Sequence, residues 1–182
     1  QFSKALLVLV DGRSVYTPLF GGVYWDVQDL LLEDVDRIEV IRGPGGTIWG
    51  ANAMQGVINI ITRDARDTTG LHAGVTTGTL DHAVAALRYG GSLGSTAGYR
   101  VFGHGFRRGP QVHHDGESFD RWTMGRGGFR IDAEPRPGET FSLQAAGYAG
   151  DAGERVSIGS YLPPAQTDVD GDGLRKRIVS AD

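Results

Sequence analysis

The apolar and polar positions of this chain follow two different patterns. In the first 66 residues, short apolar runs rich in β-branched residues alternate with glycine-rich connections, and they cover Leu6–Val10, Arg37–Arg42 and Val57–Thr62. Runs that are apolar on nearly all sides are typical of strands covered on both faces. From residue 71 onward, apolar residues instead alternate with small or polar ones at period two. The sequence therefore predicts strands buried on both faces in the first part, and strands with one apolar and one small or polar face in the second.

A glycine loop separates the second and third apolar runs. Its special residues are Gly43, Pro44, Gly45, Gly46, Gly50 and Gly56. Glycine permits positive φ and close backbone approach, so we expect a folded loop here rather than a simple turn. A helical turn is predicted over Ala51–Gln55, ended by Gly56. Upstream, Asp26 is expected to cap a helix that runs to Leu31.

The second part of the chain alternates short turns with longer loops. Residues 94–96 and 134–138 are short turns, whereas residues 108–118 form a longer polar connection. This arrangement, together with period-two alternation, is typical of bacterial outer-membrane barrels, although a soluble sheet with one wet face shows the same alternation. Aromatic residues flank the short turns and are expected to face lipid near one interface: Tyr89, Tyr99, Phe129 and Phe141.

In two of the predicted strands, the sequence does not decide which face meets lipid. Phe102 shares a face with Arg100, and Trp122 shares a face with Arg126. About five spanning strands fit into residues 71–182, at ~9–11 residues each with their connections. Because so few strands cannot close a barrel around a plug, we expect an open sheet with at least one exposed edge.

The motifs of the first part resemble a known family. RIEVIRGPGG followed by WGANAMQGVINIIT, with LLVLVDGRSVY upstream, is similar to the C-terminal half of the plug domain of TonB-dependent outer-membrane receptors, and the likeness covers Ala5 to Arg66. The resemblance implies an α+β, mostly β fold, with a plug-type mixed sheet and short helices followed by antiparallel strands of a transmembrane β-barrel. Residues 1–66 would be the C-terminal half of the plug, and residues 67–182 the first strands and outer loops of an incomplete barrel.

The resemblance also implies a function. Such receptors lie in the outer membrane of Gram-negative bacteria and import a scarce ligand, such as an iron-siderophore complex or cobalamin, with energy from TonB. The expected partners are TonB, through a segment absent from this chain, outer-membrane lipid and the ligand. No enzymatic activity is expected. Two alternatives stay open: an outer-membrane binding or channel protein without TonB coupling, and a soluble, calcium-stabilised β-rich binding domain.

Three charged residues of the second apolar run are candidate site residues. Arg37, Glu39 and Arg42 lie on a strand expected to be buried, where an unpaired charge costs several kcal/mol. In the family that the motif resembles, plug arginines at this position contact acids of the barrel wall, which implies that role for Arg37 and Arg42. A pair with a nearby acid of residues 33–36 is the alternative. The glycine loop lacks the Lys-Ser/Thr pair of a phosphate loop, which argues against nucleotide binding.

An aspartate-rich segment near the end of the chain resembles part of a calcium loop. Asp168, Asp170 and Asp172 occupy positions 1, 3 and 5 of that loop, with Gly173 at position 6, but position 12 is Val179 instead of glutamate. We therefore expect calcium to bind weakly or not at all. No other cofactor is indicated by the sequence.

Composition limits the remaining functions. The chain has 182 residues, of which 40% are hydrophobic and 22% charged, so it is too apolar for a disordered protein. Its net charge of −4 gives a nucleic-acid partner no electrostatic support. The absence of cysteine excludes disulfides, thiolate zinc sites and a cysteine nucleophile. No apolar run approaches ~18 residues, so a membrane would have to be crossed by strands. The first residues show no signal peptide, which suggests that the chain begins inside a domain.

Overall fold

A computed structural model of the chain describes residues 6–17, 22–50, 52–113, 118–159, 161, 166–169 and 176–181. The chain divides into two compact units, Gln1–Thr68 and Thr69–Asp182, which we call the N-terminal and C-terminal units. Within the described residues, no helix has the length and apolar character that crossing a membrane requires.

The N-terminal unit is built on a four-stranded mixed sheet. Its strands and those of a small separate hairpin are β1 (Leu6–Val10), β2 (Arg13–Ser14), β3 (Tyr16–Thr17), β4 (Gly22–Val23), β5 (Val35–Arg42) and β6 (Gly56–Thr62). The order in the sheet is β2-β1-β6-β5, and β3 pairs with β4. Strands β1 and β6 are parallel, whereas β5 and β6 are antiparallel. The three predicted strands are confirmed.

The helices of this unit are short and differ from the predicted ones. In the part of this unit that the structure describes, they are α1 (Gly46–Trp49) and 3-10 turns at Trp25–Val27, Leu32–Asp34 and Ala65–Asp67. The helical turn predicted over Ala51–Gln55 is wrong, since the helix lies earlier and stops at Gly50, whose φ is +90°. The predicted helix up to Leu31 is also wrong. It ends after one turn because Gln28 has φ −87° and ψ 61°, outside the helical region.

Two apolar clusters cover the two faces of β1. Alternate residues of a strand point to opposite faces, so one cluster contains Leu7 and Leu9 and the other contains Val8 and Val10. The first also includes Ala53 and Val57, and the second includes Val15 and Val23. Burial on both faces is thus confirmed for β1.

Strand β5 is not buried as its sequence predicted. Ile38, Val40 and Ile41 are 56%, 59% and 41% exposed. The physical reason is position: β5 is the edge of the sheet, and neither apolar cluster contains any of its residues. An apolar β-branched run identifies a strand, but it does not show what covers that strand.

The C-terminal unit is an antiparallel sheet of long strands. They are β7 (Gly70–Thr76), β8 (Asp81–Leu93), β9 (Ala97–Arg108), β10 (Trp122–Arg136), β11 (Glu139–Ala152) and β14 (Lys176–Ala181), while β12 (Val156–Gly159) and β13 (Gln166–Val169) form a separate hairpin. Each strand from β7 to β10 pairs with the next along the chain, and β11 pairs with β14. The described sheet does not close, because β7 and β14 are its two edges. The open sheet is therefore as predicted.

Candidate functional site

The loop from Gly43 to Gly56 is closed by backbone contacts between its two arms. Its two arms are joined by backbone hydrogen bonds, from Gly43 N to Gln55 O at 3.2 Å and from Gly45 N to Ala53 O at 2.8 Å. Ala53 is fully buried and belongs to one of the two apolar clusters. The loop is thus fastened to the sheet through Ala53.

Three of the predicted loop glycines have a conformation that favours glycine. Gly43, Gly50 and Gly56 have φ of +97°, +90° and +155°. Gly56 is also restricted by space, since a Cβ there would lie 2.5 Å from the carbonyl oxygen of Ile41. By contrast, a Cβ on Gly46 would meet no atom within 4 Å. The backbone conformation of the loop therefore requires glycine at particular positions, and not simply a high glycine content.

The candidate charges on β5 form a local, exposed network. Arg37 Nε lies 2.9 Å from Glu39 Oε1, and Arg37 Nη1 lies 2.8 Å from Asp36 Oδ2. The side chain of Arg37 is 57% exposed, and hydrogen bonds to Glu39, then to Asp36, raise its pKa above the ordinary value. Glu39 also accepts a hydrogen bond from Asn59 Nδ2 at 3.3 Å. The prediction that these charges are buried is therefore wrong. Arg37 instead pairs locally with Asp36 and Glu39.

Arg42 differs from Arg37. No ion pair of Arg42 is recorded among the residues that the structure describes, and it ends β5 next to the glycine loop. A contact of Arg37, Glu39 or Arg42 with acids of a barrel wall stays a prediction.

A carboxylate clamp, not found by sequence reasoning, ties the two central strands together. Asp11 and Gly12 have φ of +49° and +79°, which fits the two-residue turn of a hairpin between β1 and β2. The Asp11 carboxylate accepts hydrogen bonds from Thr62 N at 2.8 Å and from Thr62 Oγ1 at 2.9 Å. The Asp-Gly pair indicates the turn, but no sequence signal identifies a partner 51 residues away.

One face of the C-terminal sheet is apolar and exposed. We call it the apolar face; the cross-strand register places these residues on it: Leu71, Ala73, Val75, Ala85, Leu87, Tyr89, Tyr99, Val101, Gly103, Phe129, Ile131, Phe141 and Leu143. Leu71, Val75 and Leu87 are 70%, 77% and 54% exposed. The four aromatics predicted to flank the short turns all lie on this face, with the rings of Tyr89 and Tyr99 6.3 Å apart.

The opposite face carries charge, and its charged residues are buried or partly buried. We call it the charged face; it contains His72, Arg88, Arg100, His104, Arg108, Arg126, Arg130 and Asp132. Arg100, Arg126 and Asp132 are 4%, 8% and 4% exposed. Arg130 Nε lies 2.6 Å from Asp132 Oδ2. A soluble sheet buries its apolar face and leaves its polar face in water, so this sheet has the inverse arrangement.

Aromatic residues on the charged face show which face of β9 and β10 is the apolar one. Phe106 and Trp122 form an edge-to-face pair with centroids 4.7 Å apart, and the guanidinium of Arg108 lies 5.3 Å and 5.5 Å from the two ring centroids. Arg108 Nε is also 2.7 Å from Asp81 Oδ1. These rings share the face of the arginines, so they are not part of the apolar face.

The described part of the connection from β9 to β10 is held by an aromatic and ionic cluster. The rings of His113 and Phe119 stack with centroids 4.3 Å apart, and the guanidinium of Arg155 lies 4.2 Å from the Phe119 centroid. Asp120 accepts a hydrogen bond from Gln111 N at 2.9 Å and lies 3.3 Å from His113 Nε2. Burial alone would raise the pKa of Asp120, but the bonds from Gln111 and His113 outweigh it and lower that pKa.

The calcium prediction remains untested by the structure. Asp168 lies in β13, while Asp170 and Asp172 lie outside the described residues. Within the described part of the chain, no group of three or more histidine, cysteine or acidic residues could hold a metal ion.

Comparison with known sequences supports the same family for both units. Residues 2–57 match the family described as TonB-dependent Receptor Plug Domain. The vitamin B12 transporter BtuB of Vibrio cholerae serotype O1 is 36% identical over 92 residues, which cover 50% of this chain and 15% of that protein. The vitamin B12 transporter BtuB of Vibrio vulnificus strain YJ016 is 29% identical over 162 residues, which cover 77% of this chain and 26% of that protein.

Solved structures show the same fold. The copper transporter OprC matches with a TM-score of 0.65 at 18% identity, over 89% of this chain and 28% of that one. The siderophore receptor PirA from Pseudomonas aeruginosa matches with a TM-score of 0.56 at 23% identity, over 82% of this chain and 26% of that one. The chain spans about a quarter or less of the curated relatives named here.

The plug-type sheet and the inverted antiparallel sheet thus have the fold that is seen in the siderophore receptor PirA and the copper transporter OprC. Residues 2–57 of the chain belong to the plug-domain family of TonB-dependent receptors, and the chain as a whole is similar to TonB-dependent outer-membrane receptors. Its localisation is therefore the outer membrane of a Gram-negative bacterium.

Proposed function

We propose that the intact protein imports a scarce ligand, such as an iron-siderophore complex or cobalamin, across the outer membrane with energy supplied through TonB. It would work by binding and by rearrangement of the plug, without a catalytic step. The proteins that the chain resembles are named as vitamin B12 transporters, a siderophore receptor and a copper transporter, and this supports import of a scarce ligand without choosing between these cargoes.

The observation that carries the proposal is the inverted C-terminal sheet. Its exposed face is apolar over five strands, and its buried face holds arginines. Such a sheet is stable with its apolar face against lipid, whereas in water the exposed apolar face would drive aggregation. This argues against the soluble calcium-stabilised domain.

Uptake measurements test the proposal. The full-length gene would be deleted and restored in its host under iron limitation, and uptake of a radiolabelled ferric siderophore and of radiolabelled cyanocobalamin would be followed. We expect deletion to abolish uptake of one of the two ligands, and an uncoupler of the proton-motive force to abolish it equally. Uptake that persists in the presence of the uncoupler would contradict TonB coupling and favour the channel alternative. Normal uptake of both ligands after deletion would refute an import role for either one.

A further inference from the structure

Two connections meet at the end of the C-terminal sheet that lies opposite its short turns. One joins β9 to β10, and the other follows β11 and leads into the β12–β13 hairpin. The register aligns Arg108, Trp122 and Ala152, where these three strands end or begin. Loops at the end of a sheet are usually among the least stable parts of a protein, because they bury little apolar surface. Here, however, described contacts join one connection to the other.

The ring of Phe119 is the centre of these contacts. On the β9–β10 side, the His113 ring stacks on it with centroids 4.3 Å apart and 25° between the planes. From the segment after β11, the guanidinium of Arg155 lies 4.2 Å from the same centroid. Two groups at these distances cannot share one face of a ring, so Phe119 lies between them. Arg155 directly precedes β12, and the ring therefore holds the base of the hairpin.

A backbone contact joins the same two segments. Gly153 N donates a hydrogen bond to Arg121 O at 2.8 Å, and a Cβ on Gly153 would overlap the carbonyl oxygen of Phe119. Glycine is the residue that allows so close an approach of two backbones. In the described part of the chain, β12 and β13 form a sheet of their own. We call the contacts of His113, Phe119, Gly153 and Arg155 the Phe119 junction.

The β9–β10 side of the Phe119 junction is linked further into its own connection. Asp120, the neighbour of Phe119, accepts a hydrogen bond from Gln111 N at 2.9 Å and lies 3.3 Å from His113 Nε2. A displacement of Phe119 therefore disturbs His113 directly and Gln111 through Asp120. The amides of Gln111 and Gly153 thus report on the two sides of the junction.

We propose that the Phe119 junction makes the β9–β10 connection and the base of the β12–β13 hairpin open and close as one body. Two weak contacts act on the same ring, and each holds the ring in place for the other. Coupling between two sites is reciprocal, so the loss of either contact loosens both segments. This goes beyond the proposed import function and does not depend on it, because it concerns the motion of the chain without cargo.

Amide hydrogen exchange of the full-length receptor in detergent, without ligand, tests the coupling. Phe119→Leu removes both ring contacts, and we expect exchange to become about tenfold faster in the peptides that contain Gln111 and Gly153. Phe119→Tyr keeps the ring and should keep native exchange at both. Heat-modifiable migration in gels shows that the barrel of each variant has assembled.

Variants of one side alone separate coupled from independent segments. Arg155→Gln leaves the His113 stack in place, yet it should make exchange at Gln111, on the other side, about two- to fivefold faster. His113→Gln should do the same at Gly153. Effects confined to the side that carries the substitution would overturn the proposal, since the segments would then open independently.

A steric variant approaches the junction from the backbone. Gly153→Ala forces a Cβ into the carbonyl oxygen of Phe119 and should accelerate exchange at Gln111 as Phe119→Leu does. Gly159→Ala is the matched control, since a Cβ there meets no atom within 4 Å. Tyr161→Leu is the aromatic control, because Tyr161 is fully exposed. Both controls should leave exchange at Gln111 unchanged.

The remaining outcomes also decide the proposal. Unchanged exchange in Phe119→Leu would overturn it, because the ring would then hold neither segment. Faster exchange throughout β9 and β10 in that variant would assign the effect to the sheet and would likewise overturn it. None of these outcomes bears on ligand uptake, so the proposed function is tested separately.

Discussion

The carboxylate clamp allows a quantitative test of how the plug sheet is held together. Asp11→Ala removes the two carboxylate oxygens that accept hydrogen bonds from Thr62, a residue that is only 8% exposed. It also places alanine at φ +49°, where asparagine and aspartate are tolerated better than other side chains. Asp11→Asn is the matched variant, because it keeps the turn conformation and one carbonyl acceptor while removing the charge.

The expected magnitude follows from these contacts. Hydrogen bonds to a charged group contribute about 1.5–3 kcal/mol each, and an unsatisfied buried donor costs about 1–3 kcal/mol. Because Thr62 Oγ1 can rotate toward other acceptors, we expect a loss of about 3 kcal/mol for Asp11→Ala and about 1 kcal/mol for Asp11→Asn. A loss of 3 kcal/mol corresponds to roughly a hundredfold change in an opening equilibrium.

Amide hydrogen exchange on the full-length receptor, read by mass spectrometry, measures that opening locally. The peptide containing Val57–Thr62 should exchange about a hundredfold faster in Asp11→Ala and about fivefold faster in Asp11→Asn, while peptides of β9 and β10 keep their protection. Equal, near-native exchange in both variants would refute the argument that the clamp joins β1 to β6. Faster exchange throughout the protein would show that the effect is global and not due to the clamp.

Four further predictions concern separate parts of the chain. Gly56→Ala should destabilise the plug by about 2–4 kcal/mol, since its Cβ would strike a backbone oxygen at positive φ, and trypsin should then cleave the plug faster. Leu87→Arg puts a charge on the apolar face and should cost about 2–4 kcal/mol of membrane stability, seen as loss of heat-modifiable migration in gels. Asp132→Asn removes the charge of a buried carboxylate that pairs with Arg130 and should lower the free energy of unfolding by about 3–5 kcal/mol in urea titrations. Because the pKa of Asp120 is lowered, its stabilisation of the loop is complete above the unfolded value and disappears as pH falls through the folded value; faster amide exchange at Gln111 in that acid range is the readout.

Each of these has a control and an opposing outcome. Gly46→Ala adds a Cβ that meets nothing within 4 Å, so trypsin sensitivity equal to Gly56→Ala would contradict the steric argument. Normal assembly of Leu87→Arg would mean that the apolar face does not meet lipid. Glu139→Gln affects an exposed pair with Arg136 and should cost under about 1 kcal/mol; an equal loss for Asp132→Asn would contradict the role of burial. Asp120→Asn should remove the pH dependence of the loop.

Strands were predictable from sequence where the local pattern carries the information. Leu6–Val10 is a continuous apolar run that ends at the Asp11-Gly12 turn, and Val57–Thr62 is a β-branched run that follows Gly56; the structure has strands at both. The exposure of β5 could not be predicted, because β5 lies at the edge of the sheet and the order of strands in a sheet depends on the whole unit. The misplaced helical turn has a local cause: Gly50 adopts positive φ and stops the helix before residue 51, and nothing distinguishes it from the other loop glycines in the sequence.

The site was less predictable than the fold. The charges Arg37 and Glu39 were identified, but their partners depend on whether the strand is buried, and that expectation was wrong. The alternation of β8 gave two faces without saying which one is exposed. Only the register between strands, which aligns Arg100 with Arg130 and His104 with Arg126, showed that the basic residues collect on one side.

The parallel pairing of β1 with β6 has a consequence for how the two units are made. Leu6 lies opposite Gly56 and Val10 opposite Ile60, so the central ladder of the N-terminal unit joins residues 50 positions apart. The strands of the C-terminal unit from β7 to β11 pair with their immediate neighbours in sequence. Long-range pairing slows folding, whereas local pairing is fast. The centre of the N-terminal sheet therefore cannot form until the chain is available as far as Ile60, and until then β1 is an unpaired apolar strand that is exposed to aggregation.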